Sequence, residues 1–235
     1  MTNLAFYKSF LGDTAMKTYL FDFDGTLVDS MPYFIAGVMK ELDKNHCKYD
    51  DDIIKTITPL GFAGTADYFI KAFGLTVSAE DLVQVFKDNM ANDYFYNISA
   101  KNNVIKVLRE LKKRGARLNV LTASPHVTLD ACLKRLGIFD LFDNVWSCDD
   151  FSMTKANPAI YRLVAEKLNV NTEDVLFLDD NLHADMTAKS AGMRVCGVFD
   201  ESSADCAEQM KSICDFYIND FDELLESPLK RITSM

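Results

Sequence analysis

The sequence predicts an α/β protein: a doubly wound parallel-sheet core with an α-helical domain inserted after its first strand. Three observations carry this reading. Beyond residue 100, short apolar runs alternate with helical periodicity; residues 32–97 are patterned as helices with few strand candidates; and two of the apolar runs, 19–21 and 174–178, end in paired acids. Alternation of strands and helices implies parallel strands joined by right-handed crossovers. In such sheets ligands gather at the carboxyl ends of the strands, so the residues just past each run are the candidates for function.

The first strand, Tyr19-Leu20-Phe21, runs directly into Asp22-Phe23-Asp24-Gly25-Thr26-Leu27-Val28-Asp29-Ser30. Alternate side chains of an extended segment share a face. Asp22 and Asp24 therefore address one pocket, while Phe21 and Phe23 point into the core. Carboxylates at the end of a buried strand lose hydration and repel each other, and persist where a cation, a hydrogen-bonding loop or chemistry compensates. Gly25 lets the backbone turn sharply beside them. A plainer reading makes this an acidic turn in which Asp29 or Ser30 caps the next helix.

Helical patterns follow over 34–42, 51–57, 66–73 and 79–89. Between them, Thr58-Pro59-Leu60-Gly61-Phe62-Ala63-Gly64-Thr65 reads as a loop whose glycines permit close approach to a ligand, or as an ordinary turn between helices. The core resumes with a helix over 101–114 and a strand over 117–121. That strand delivers Thr122-Ala123-Ser124-Pro125 to the start of a helix at 126–136, where a hydroxyl and free amides form an anion cradle; alternatively Thr122 or Ser124 is a plain N-cap. A strand at 144–147 and a helix at 157–168 flank Lys155. The strand 174–178 ends in Asp179-Asp180-Asn181, followed by a helix at 183–191, a strand at 194–198, a weaker strand at 215–218 and a short terminal helix.

Asp22-x-Asp24-Gly25-Thr26, followed by Leu27-Val28-Asp29-Ser30, resembles the opening motif of the haloacid dehalogenase-like superfamily. Three further motifs of that family have counterparts in order. They are the strand ending in Thr122, the segment Lys155-Ala156-Asn157-Pro158, which resembles Lys-Pro-x-Pro with Ala156 in place of the first proline, and Asp179-Asp180 with Asp185 further on. Short motifs match by chance, whereas an ordered set in strand-then-loop context does not. The resemblance covers residues 18 to about 198 and is closest to the phosphoglycolate phosphatase and beta-phosphoglucomutase-like branch, which carries a helical cap after the first motif.

The resemblance implies a Rossmann-like core formed by 16–31 and 98–235, a cap at 32–97 and an N-terminal extension at 1–15. It implies a magnesium-dependent phosphatase that hydrolyses a small phosphomonoester through an aspartyl phosphate. Asp22 is then the nucleophile, and Asp24 the acid and base. Lys155, Thr122 and the Ala123 amide bind phosphate, and Asp22, Asp24, Asp180 and Asp179 serve the metal. Many relatives have an acid where this chain has Ala184, which leaves open whether Asp179 or Asp185 joins Asp180. The alternatives are a phosphosugar mutase and a phospho-dependent binding or signalling protein. Dehalogenases and phosphonatases of the superfamily lack the second Asp. Receiver domains place their acidic pair first in the chain and have no cap.

With 235 residues, 49% of them hydrophobic, the chain is long enough for a core domain and an insert. Its 35 acidic against 25 basic residues give a net charge of −10, which argues against nucleic acid or an anionic membrane as partner. No apolar run has the length of a membrane span or a signal-peptide core, which points to the cytoplasm. The six cysteines, at 47, 132, 148, 196, 206 and 214, lack Cys-x-x-Cys spacing and read as free thiols. The expected partner is a small phosphorylated metabolite, handled by a monomer or weak homodimer. Residues 32–97 hold no arginine and more acid than lysine, so a second phosphate would lack bidentate partners and a neutral or partly apolar leaving group is expected.

Overall fold

The computed structural model describes residues 18–50 and 52–225; the expected extension at 1–15 lies outside them. The first strand, β1 (Thr18–Phe21), is buried along its whole length, as befits four residues with neighbours on both edges and both faces. It is followed by α1 (Met31–Lys44), α2 (Asp52–Ile57), α3 (Gly61–Phe73) and α4 (Ala79–Tyr96), and then by α5 (Val104–Lys113) and β2 (Arg117–Thr122). The rest alternates: α6 (His126–Arg135), β3 (Asn144–Ser147), α7 (Pro158–Leu168), β4 (Val175–Asp179), α8 (Leu182–Ser190), β5 (Arg194–Val198), α9 (Ala207–Ile213) and β6 (Phe216–Ile218). The strands form one six-stranded parallel sheet in the order β3-β2-β1-β4-β5-β6. The chain thus winds outward from β1 on one side, returns, and winds outward on the other. The direction changes between β1 and β4, whose carboxyl ends open the crevice where such sheets bind ligands.

Side chains alternate across the sheet as a buried parallel strand requires. Tyr19 and Phe21 join Leu118, Val120, Leu176 and Leu178 on one face, whereas Leu20, Leu121 and Phe177 pack with Ile160, Val164 and Ala188 of α7 and α8 on the other. The first of these clusters continues into the inserted helices through Phe23, Phe34, Phe69, Phe86 and Tyr94. The chain enters and leaves that insert by a short antiparallel ribbon: Val28 bridges Ala100, Asp29 N–H donates to the Ser99 carbonyl (2.9 Å) and Lys101 N–H to the Leu27 carbonyl (3.1 Å). No helix among the described residues is long and apolar enough to cross a membrane.

Several boundaries differ from the sequence reading. Residues 58–65 are not a loop: Thr58–Leu60 form a single 3-10 turn and Gly61, at φ 61°, begins α3. Burial of Ile57, Thr65, Ala66 and Phe69 holds that helix in place. α4 runs seven residues past the expected 89, because Leu82, Phe86, Met90 and Tyr94 continue one buried stripe at four-residue spacing. α5 starts at Val104 rather than at 101, behind Asn103 in the left-handed region (φ 61°). Ser30 does not cap α1 with its side chain; Pro32 in the first turn starts it instead. α9 had no apolar stripe to announce it, with Met210 its one buried residue, and the terminal helix is a 3-10 turn, Phe221–Leu224.

Candidate active site

Asp22 follows β1 and continues its ladder, its N–H donating to the Leu178 carbonyl of β4 at 2.8 Å. That bond sets a buried carboxylate beside the end of β4, where Asp179 and Asp180 emerge. The chain then reverses: Leu27 and Val28 N–H groups both donate to the Phe23 carbonyl, and Gly25 N–H to the Val28 carbonyl. Gly25 sits at φ +74°, and a Cβ there would lie 2.5 Å from Oδ2 of Asp180. Both the backbone conformation and the close approach therefore require glycine. Thr26 Oγ1 donates to Asp180 Oδ1 at 2.9 Å, locking the turn to the second acidic pair.

Lys155 comes from the loop ahead of α7, a helix started by the Asn157 side-chain cap and Pro158. Its ammonium donates to Asp22 Oδ1 and, at 2.8 Å, to Asp179 Oδ2. The other oxygen of Asp179 accepts from Asn181 N–H (2.8 Å), and Asn181 in turn caps α8 through His183 and Ala184 N–H groups. Thr122 ends β2 fully buried, its Oγ1 accepting from Ser124 N–H (3.1 Å), and Ala123 beside it is exposed on the wall of the cavity. The Asp24 carboxylate takes the Tyr94 hydroxyl on Oδ1 (2.7 Å) and the Ser124 hydroxyl on Oδ2.

One oxygen each of Asp22, Asp179 and Asp180 lie within 4.8 Å of one another, all three residues buried. The Asp24 carboxylate is outside that group, and so is Asp185. Asp185 is fully buried in α8, with the Cys214 thiol 3.2 Å from its Oδ2. Burial raises the Asp22 carboxyl to about 7; Lys155 opposes the rise, while Asp179 and Asp24 add to it. Burial, then Asp179 and Asp22, push Asp180 well above the usual carboxylate range. Burial works against the charge of Lys155, yet Asp179 and Asp22 outweigh it and hold the ammonium well above its ordinary value. One lysine against three gathered acids leaves negative charge uncompensated, a deficit a divalent cation fits. An all-oxygen set with few protein ligands suits magnesium, which keeps several waters and takes substrate phosphate oxygens as well.

The site opens into a cavity of about 1340 Å³. The core supplies Asp22, Asp24, Thr122, Ala123, Lys155, Asp179 and Asp180 to its wall; the inserted helices supply Phe34, Ile35, Phe62 and Met90 together with Lys55 and Lys87. The sequence reading missed Tyr94 and Lys101. Lys101 donates to the Gly25 and Phe199 carbonyls (both 2.7 Å) and to Asp200 (2.8 Å), tying the turn after β1 to the segment after β5. Neither residue belongs to a motif. The signal available for Tyr94 was its place on the continued apolar stripe of α4.

A parallel sheet with helices inserted after its first strand, and an acid cluster with a lysine at its switch point, defines a capped, Rossmann-like α/β class of protein. The chain belongs to the haloacid dehalogenase-like hydrolases, whose family model matches residues 16–192. It is 28% identical over 186 residues to the pyrophosphatase PpaX of Bacillus velezensis, covering 79% of this chain and 84% of that one. To the phosphorylated carbohydrates phosphatase of Thermotoga maritima it is 26% identical over 184 residues, covering 78% and 85%. Among solved structures, a predicted phosphoglycolate phosphatase from Haemophilus somnus 129pt superposes with a TM-score of 0.75 at 22% identity, over 91% of this chain and 98% of that one.

Proposed function

We propose that the protein is a magnesium-dependent phosphatase that hydrolyses a small phosphomonoester through an aspartyl phosphate on Asp22, with residues 32–97 acting as its cap. The observation that carries this reading is the meeting of Asp22, Asp179 and Asp180 with Lys155 at the mouth of a cavity. Asp22, Asp180 and Asp179 would hold the metal, which when bound neutralises charge on the phosphoryl oxygens. Asp22 attacks phosphorus in line, forming its O–P bond as the bond to the leaving oxygen breaks. Asp24 gives that oxygen a proton. In the second half Asp24 takes a proton from water, whose oxygen attacks phosphorus and breaks the bond to Asp22, freeing phosphate. Lys155, the Thr122 hydroxyl and the Ala123 amide stabilise the equatorial oxygens, and such preorganised electrostatics carry most of the rate.

The lining of the cap supports a reading of the substrate class. Phe34, Ile35, Phe62 and Met90 suit a partly apolar leaving group, while Lys55 and Lys87 accept residual negative charge on it. The two lysines also favour a second reading, a phosphosugar mutase, which must hold a bisphosphate. The test is phosphate release from a panel of sugar phosphates, nucleotides and simple phosphomonoesters, with magnesium or a chelator, for wild type and Asp22→Asn. Release that needs both magnesium and Asp22 supports the phosphatase. Near-normal turnover by Asp22→Asn would sink the covalent mechanism, and isomerised sugar phosphate without free phosphate would make it a mutase.

A further inference from the structure

We propose that Tyr94 is a positioning residue for Asp24, through which the inserted helices set the orientation of the acid–base carboxylate; the inference rests on the hydrolytic reading above. Tyr94 lies in the last turn of α4, where the inserted helices rejoin the core. Its ring is buried and stacks on Phe23 (centroids 6.1 Å apart, planes at 23°), the residue immediately before Asp24. Its hydroxyl donates to Asp24 Oδ1 at 2.7 Å, while Ser124, from the loop after β2, donates to Oδ2. Donors on two separate elements thus fix both oxygens, and with them the plane of the carboxylate.

Tyr94 is itself immobilised. The Arg135 guanidinium of α6 donates to its carbonyl (3.3 Å) and to that of Ile98, so the backbone carrying the ring is bolted to the core at the exit from the insert. Burial, then the charge of Asp24, push the phenol well above its ordinary range and keep it a hydrogen-bond donor. Asp24 must face the leaving oxygen in one half-reaction and water in the other. Misplacement by an ångström costs such a group orders of magnitude in rate. A free Asp side chain would sample other rotamers. The hydroxyl of Tyr94 removes that freedom without touching phosphate.

The test is Tyr94→Phe, which keeps the ring stack and deletes only the hydroxyl. Single-turnover rates are compared on an alkyl phosphomonoester, whose leaving oxygen needs a proton, and on 4-nitrophenyl phosphate, whose phenolate departs without one. The expected result is a loss of about tenfold or more on the alkyl ester, with KM within about twofold, and a first turnover on the nitrophenyl ester within about twofold of wild type. Ser124→Ala, which releases the other oxygen, should give the same split. Parallel loss on both esters, or no loss on either, would overturn the inference while leaving the phosphatase reading intact. A wild type inactive on both esters would overturn the two together.

Discussion

Gly25 shows how a single residue holds the site together. It adopts φ +74° at the tightest point of the turn, and Asp180 fills the space a side chain would take. Gly25→Ala should therefore cost about 1–2 kcal/mol in stability from the left-handed backbone, and should also push the Asp180 carboxylate away from Asp22 and Asp179. The urea midpoint should fall and the magnesium concentration for half-maximal phosphate release should rise; an unchanged magnesium requirement would show that Asp180 does not serve the metal. Residues of this kind were legible in the sequence where their partners are local or end a strand: Asp22, Gly25 and Asp180 are read from runs of a few residues. Tyr94 and Lys101 were not, because they meet Asp24 and Gly25 across 70 and 76 residues and no periodicity encodes that contact.

At the scale of elements, His126 joins the first turn of α6 to the turn after β3, its Nδ1 2.9 Å from Asp130 and its Nε2 2.9 Å from Asp150. The hydrogen bond to Asp130, then that to Asp150, raise its pKa above the ordinary 6.5. A histidine raised on folding contributes stability that is fully present below the unfolded value and lost as pH rises through the folded one. The melting temperature of His126→Gln should thus trail wild type most at about pH 5.5, below the ordinary value, and the gap should close as pH rises; a gap that widened with pH would refute the assignment. The four central strands β2, β1, β4 and β5 were visible because four or five buried residues in a row leave little else to form. The helix ends were less so. α4 overran its expected end because Tyr94 and Met90 extend a stripe through polar neighbours, and residues 58–65, rich in glycine and threonine, form a turn and a helix once Thr65 and Phe69 are buried.

For the whole molecule, the acid cluster predicts a coupling between magnesium and stability. A ligand that binds only the folded state stabilises it by about 2.7 kcal/mol at a hundredfold excess over its dissociation constant. For a chain of this length that is roughly 5–10 °C in melting temperature. Wild type should melt higher in magnesium than in chelator, and Asp180→Ala should lose most of that difference; equal shifts in the two proteins would move the metal elsewhere. The layout of core and insert was legible from where strands were missing, whereas the pairing of the two chain passages at Val28 and Ala100 and the lysines facing the cleft depend on tertiary contacts alone. The strand order also governs how the protein comes into being. β1 leaves the ribosome first among the strands, yet its two neighbours begin at Arg117 and Val175, so during synthesis the centre of the sheet waits, apolar and half-paired, for more than half the chain. The inserted helices close local contacts at once, whereas β1 depends on distant ones, which form slowly. The active site therefore stays incomplete until β4 has been made, and a nascent chain stopped short of β4 should leave β1 amides open to hydrogen exchange while α1 and α4 are already protected.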